Sequence, residues 1–215
     1  MKKRLLYIFI ALAGFTSTAS ASHITGGEMY YTFNGMSGAN FQYNITLKLI
    51  QRCGSGRAFP NPIIISIFDN TNLARINDYS VTISSTENIF LSEHDPCITN
   101  PPDVCYDVAY YTLSVGLPAS PGGYTLASHV NYRINGINNL EPGSGNVGAT
   151  YTAQIPGTAA VSSGPQNNSA VFVGSDLVEV CAGNGFTYSF AADDADGDEL
   201  RYSFCQAFNS TAPGG

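Results

Sequence analysis

The chain has 215 residues, with nine Lys and Arg against sixteen Asp and Glu, a formal net charge of −7 at neutral pH. An acidic, lysine-poor surface repels phosphate backbones, which argues against nucleic acid or anionic lipid as a partner. Tyr and Phe are plentiful and Trp is absent; no long stretch carries the 3.6-residue period of an amphipathic helix, so the composition suits an extracellular all-β protein.

Lys2, Lys3 and Arg4 precede an apolar run from Leu5 to Phe15, and the small residues Ala19, Ser20 and Ala21 follow. This is the pattern of a secretory signal peptide over residues 1–21. The run is well short of the roughly 20 apolar residues that span a bilayer, so cleavage is expected after Ala21. No cysteine follows the cut to take a lipid anchor, and nothing later is apolar enough to span a membrane, so the mature chain is expected outside the cell or on its surface. Losing Lys2, Lys3 and Arg4 leaves six basic residues against sixteen acidic ones, a mature net charge of −10.

Strand follows strand in the mature chain. Met29, Tyr31 and Phe33 alternate with polar or small neighbours, and Asn34-Gly35 is a turn signal. Phe41, Tyr43, Ile45, Leu47 and Leu49 then face one way while Gln42, Asn44, Thr46 and Lys48 face the other, a clear half-buried strand. Pro62 to Phe68 is a continuous apolar run, expected as a strand covered on both faces, and Tyr79, Val81 and Ile83 alternate again. After a Pro-rich loop come Tyr111, Leu113 and Val115, then the longer set Tyr124, Leu126, Ser128, Val130, Tyr132 and Ile134, and finally Tyr151, Ala153 and Ile155. Short strands with Gly and Pro punctuation predict an antiparallel β-sandwich over 22–156. A Gly/Ser/Ala/Pro linker over 157–167 comes next, and residues 168–215 open a second, immunoglobulin-like module that is expected to be incomplete, since such domains run to about 100 residues.

That second stretch contains CAGNGFTYSFAADDADGDELRYSFC, from Cys181 to Cys205. Phe186, Tyr188 and Phe190 alternate on one side of it, Leu200, Tyr202 and Phe204 on the other, which predicts a β-hairpin with a cysteine at each end. Its turn gathers Asp193, Asp194, Asp196, Asp198 and Glu199. Carboxylates at alternate positions of a turn suit a hard, oxygen-seeking cation, so Asp194, Asp196 and Asp198, assisted by Asp193 or Glu199, are candidate Ca²⁺ ligands. The loop is not an EF-hand, because Gly197 is fourth from Asp194 and the twelfth residue is Cys205. A solvated acidic turn is the other reading.

Five cysteines in an exported chain leave one over. The expected bridges are the local ones, Cys97 to Cys105 and Cys181 to Cys205, each flanking a turn-rich segment, with Cys53 free or intermolecular.

Several pieces carry a family resemblance. They are Ser22-His23-Ile24 with Gly26-Gly27-Glu28, Arg52-Cys53, Asp95-Pro96-Cys97, Pro101-Pro102 before Cys105, Gly122-Gly123-Tyr124, Gly148-Ala149-Thr150-Tyr151, and Asp194 with Asp198-Glu199-Leu200 leading to Tyr202-Ser203-Phe204-Cys205. In these the chain resembles the N-terminal region of large, multidomain gliding-motility-associated surface proteins that leave the cell through type IX secretion. The resemblance implies an adhesin-like or spacer role, the type IX secretion machinery as a partner, and modules of the polycystic-kidney-disease type further along. Where such sequences carry adjacent cysteines after the Gly-Gly-Tyr strand, this one has Asn131-Tyr132.

Catalytic patterns are sparse. His23, His94 and His129 are the three histidines, and no nucleophile elbow, zinc-protease helix or phosphate loop is present. Cleavage after Ser22 would make His23 an N-terminal copper chelator, but the Ala-x-Ala site favours Ala21 and a second convergent His is required. A non-enzymatic surface module is therefore expected, meeting a surface polysaccharide or another surface protein; the alternative is an extracellular carbohydrate-binding or polysaccharide-degrading protein.

Overall fold

The computed structural model describes residues 24–94, 96–131, 133, 134, 137, 140, 147–160, 163–205 and 208–210. The expected leader over 1–21, His23, Asp95, Tyr132 and the closing Ala-Pro-Gly-Gly lie outside them. The alternation read at Phe41 to Leu49 is the centre of β2 (Asn40–Arg52), where Tyr43, Ile45, Leu47 and Leu49 are at most 1 % exposed. On one side it pairs antiparallel with β1 (Ile24–Ser37), on the other with β6 (Cys105–Pro118), which in turn pairs with β5 (Ser85–Phe90). The first sheet thus runs β1-β2-β6-β5.

The second sheet is built around β3 (Ile63–Asp69) and β7 (Tyr124–Val130), flanked by β4 (Ala74–Val81) and β8 (Gly148–Ile155), with the short β11 (Asn209–Ser210) on the outer edge of β8. The two sheets share one apolar core, in which Tyr31, Ile45, Leu47, Leu49 and Tyr111 of the first meet Ile65, Ile67, Leu126 and Ile155 of the second. The fold is an all-β, antiparallel sandwich.

Gly123 has a φ of 71°, and a side chain there would run into the carbonyl of Ile155. Only glycine lets the start of β7 close against the end of β8.

Several expectations change. The apolar run at Pro62 to Phe68 is covered on one face only: Ile63, Ile65 and Ile67 are buried while Ile64 is 47 % exposed. Among the described residues no further layer covers the outer side of the second sheet at β3, and Ile64 is open there. Strand β5, whose sequence STENIF lacks alternating apolar residues, forms by pairing along β6 and stays largely exposed. An edge strand needs only one partner and no buried face of its own.

Of residues 157–167, expected as a linker, the described ones, 157–160 and 163–167, run along the sandwich. Pro165 accepts the buried Tyr43 hydroxyl at 2.5 Å, and a single turn of 3-10 helix spans Gly164–Gln166. Beyond it, β9 (Val171–Phe172) pairs with β10 (Ala192–Asp193). The hairpin expected between Cys181 and Cys205 does not form as a ladder; among the described residues, 184–191 and 194–205 pair with no strand. The aromatic rings still gather, Tyr188 on Phe190 at 4.9 Å and Phe190 on Phe204 at 6.2 Å, both edge to face.

Burial raises the phenols of Tyr31, Tyr111 and Tyr151 to about 12, and that of Tyr43 further still. The core holds the neutral form, so this contribution to stability is complete below the unfolded value of 10.0 and is lost as pH rises through the folded values. Alkaline titration followed by tyrosinate absorbance and circular dichroism should show exposed tyrosines ionising first and these four ionising together with unfolding. Ionisation of every tyrosine near pH 10 with the fold intact would contradict their placement.

Candidate functional site

Among the described residues no named strand runs beside the outer edge of β1; Arg133 bridges it at Ile24, and Asn168 and Ser169 close it at Tyr31 and Phe33. Tyr31 N–H donates to Ser169 Oγ at 2.8 Å, Ser169 N–H donates back to the Tyr31 carbonyl at 3.0 Å, and Phe33 N–H donates to Asn168 Oδ1 at 2.8 Å. Asn167 adds a bond from Nδ2 to the Tyr31 hydroxyl at 3.1 Å. Asn and Ser carry both donors and acceptors on short stems, which suits them to imitate a neighbouring strand.

Asn168 is in turn held by the acidic turn. Its N–H donates to Asp196 Oδ2 at 2.6 Å and its Nδ2 to Asp196 Oδ1 at 2.9 Å, a two-pronged grip on one carboxylate. The turn is self-organised: Asp194 Oδ1 accepts the N–H groups of Asp196 and Asp198, at 2.9 and 3.2 Å, and Gly197 takes a φ of 75°. Asp194, Asp196 and Asp198 each offer an oxygen, all within 4.8 Å of one another, with Asp194 half-buried and the other two exposed. The remaining two acidic candidates stand apart from this trio. Asp193 belongs to β10 opposite Val171, and Glu199 pairs with Arg201 at 3.5 Å on the open surface. The trio also acts on Tyr31, whose phenol is raised chiefly by burial and further by the charges of Asp196, Asp194 and Asp198.

From Ser169 the chain continues as a strap over the outer face of the first sheet. Lys48 of β2 meets Asp176 at 2.6 Å and Glu28 at 3.2 Å. Burial pulls the Lys48 ammonium down, but the hydrogen bond to Asp176 and the charge of Glu28 outweigh it, leaving its pKa raised. Farther on, Glu179 reaches His94 Nδ1 at 2.8 Å with only 6 % of its side chain exposed. Leu177 is buried between these anchors, and Val108, on the outward side of β6, is fully buried as well.

A disulfide pins the far end of the strap, and here the expected pairing is corrected. Cys181 bonds Cys97, with Cα atoms 6.3 Å apart, and Cys53 bonds Cys105 at a Cα separation of 5.4 Å, leaving Cys205 free and exposed. The sheet explains both departures. Arg52 faces Tyr106 in the β2–β6 ladder and Cys53 N–H donates to the Cys105 carbonyl, so pairing register, not nearness in sequence, brings Cys53 and Cys105 together. With the Cys181 to Cys205 hairpin unformed, Cys181 lies with the strap at the loop before β6.

His129 is exposed and meets Thr150 Oγ1 at 2.7 Å. Among the described residues no helix is long and apolar enough to cross a membrane. An exposed aromatic face surrounds Cys205: Phe172, Phe190, Tyr202 and Phe204 line a groove of about 570 Å³, and Phe204 is 96 % exposed. Sequence reasoning missed Asn168, Ser169 and Asp176, which look like ordinary polar residues at the start of the second module; the available signal was Asn167-Asn168-Ser169, a run of short side chains able to bond a backbone.

Compared with family models, with curated proteins and with solved structures, the chain matches none of them.

Non-reducing peptide mapping should recover Cys53–Cys105 and Cys97–Cys181, with Cys205 alkylated in the native protein. A Cys97–Cys105 peptide would overturn this pairing.

Proposed function

We propose that the chain is a non-enzymatic module of an exported cell-surface protein of the gliding-motility-associated, type IX-secreted kind, serving in attachment or as a structural spacer. The observation that carries the reading is the exposed aromatic face around Phe172, Phe190, Tyr202 and Phe204, set beside an acidic turn that is latched to the sandwich. Contiguous exposed aromatics on a soluble surface mark contact with another molecule or module. The sequence resemblance and the leader over 1–21 support export; the two disulfides fit an oxidising compartment. Deleting the gene should lower attachment of the producing cells, and protease applied to intact cells should remove the protein. A chain that stays inside the cell, or a deletion strain that attaches as before, would count against the role.

The acidic turn is proposed as a Ca²⁺ site. Oxygens bind Ca²⁺ at about 2.3–2.6 Å, so two ligands on opposite sides of an ion stand roughly 5 Å apart. The oxygens of Asp194, Asp196 and Asp198 fall within that span. Neutralising these carboxylates would steady the same turn that grips Asn168, so the ion would tighten the hold on β1. At free Ca²⁺ ten times the Kd the stabilisation is about 1.4 kcal/mol.

Melting curves with and without Ca²⁺ test this. Ca²⁺ should raise the melting temperature of the wild type, and Asp198→Asn should abolish the rise. Asn168→Ala should cost about 1.5–3 kcal/mol with or without the ion, since it removes bonds to a charged group. No heat on calorimetric titration and no melting shift would leave the turn simply solvated.

A further inference from the structure

The inner face of the first sheet does not stay apolar to its end. Along β2 the inward positions read Tyr43, Ile45, Leu47, Leu49 and then Gln51; along β6 the inward residues Tyr111 and Ala109 are followed by Asp107. The register places Gln51 opposite Asp107, and Asp107 opposite Asn88 of β5. One polar residue from each of three neighbouring strands thus forms a single row where the core pattern asks for apolar ones. Such a break costs stability unless something uses it.

The row grades from floor to mouth. Gln51 is 4 % exposed, Asp107 is half-buried and Asn88 is exposed. Gln51 Nε2 donates to the Arg57 carbonyl at 3.2 Å, which fixes the orientation of the amide, and its Oε1 is buried with no hydrogen-bond partner. Asn88 Nδ2 donates to Asp107 Oδ1 at 3.0 Å, and Asp107 Oδ2 makes no bond among the described residues. Asn61 accepts Ile83 N–H through Oδ1 at 3.2 Å, so its amide nitrogen keeps two donors. These groups line a cavity of about 520 Å³ together with Phe59. The Cys53–Cys105 bridge clamps β2 to β6 one inward position beyond the row, which holds the wall rigid before any ligand arrives.

We propose that this cavity binds an uncharged pyranose unit of a surface polysaccharide. The chemistry selects it. A sugar ring offers hydroxyls that donate to Gln51 Oε1 and Asp107 Oδ2 and accept from the Asn61 amide, and its C–H face lies against Phe59. A cationic ligand would satisfy Asp107, but the other acidic lining residue, Glu87, already accepts the Tyr110 hydroxyl, and the cation would face the amide donors of Asn61. A fully apolar ligand would leave Gln51 Oε1 unpaired. The proposal names a ligand for the attachment role and rests on that reading only in taking a surface polysaccharide as the source; the acidic turn and the aromatic face play no part in it.

The test titrates the mature chain, in EDTA, with neutral gluco-, xylo-, manno- and galacto-oligosaccharides and with butylammonium as a cationic probe, read by calorimetry and by NMR shifts. Saturable binding of at least one oligosaccharide is expected. Asp107→Asn and Asn88→Ala, both at partly or fully exposed positions, should each weaken it about tenfold or more while the chain keeps a cooperative melt above the titration temperature. Gln51→Leu should abolish it, though only the two milder variants are needed for the conclusion. No binding by any oligosaccharide, binding of butylammonium alone, or sugar binding that ignores both variants overturns the proposal. EDTA keeps the outcome separate from any Ca²⁺ effect, and a sugar-blind chain on attaching cells would leave the surface role standing.

Discussion

The free edge of β1 governs much of this molecule. A sheet edge left open invites pairing with another chain, and natural sandwiches cover it. Here the cover is made by Asn168 and Ser169, whose side chains take the place of a strand at Tyr31 and Phe33. That choice constrains the chain beyond the edge. Asn168 must be oriented, which is the work of Asp196; the chain must then leave the edge, which starts the strap at Ser169; and the strap must be held down over β2 and β6, by Asp176 on Lys48 and by Glu179 on His94. An acidic turn and a remote disulfide are thus linked through one edge.

The architecture was largely legible where burial is one-sided and long. The alternation in β2 survives because every second residue must enter the core, so composition and contact agree at each step from Tyr43 to Leu49. It was illegible where a strand depends on its neighbour. STENIF has no apolar rhythm, yet β6 gives it a ladder to join, and the apolar run at Ile63 to Ile67 looked two-sided because sequence shows apolarity but not whether a layer lies above it.

The sites divide the same way. Residue spacing was enough to gather Asp194, Asp196 and Asp198, since a turn is a local object. Pairing of cysteines is not local. Cys53 and Cys105 are 52 residues apart in sequence and adjacent only because two strands align, which no inspection of spacing shows. The polar row at Gln51, Asp107 and Asn88 has the same character: Gln51 continues the inward parity of β2 and was readable as a lone anomaly, but its meaning depends on cross-strand partners.

The two disulfides also redraw the route by which tension would travel. Followed along bonds from β1, the shortest path runs through β2 to Cys53, crosses to Cys105, returns along the loop to Cys97 and crosses again to Cys181. Everything from Tyr106 to Val180, which includes β6, β7, β8 and the strap, hangs off that path as a closed loop. A chain anchored on one side and gripped on the other would release β1 and the segment beyond Cys181 first, while most of the sandwich remained slack inside its covalent bypass.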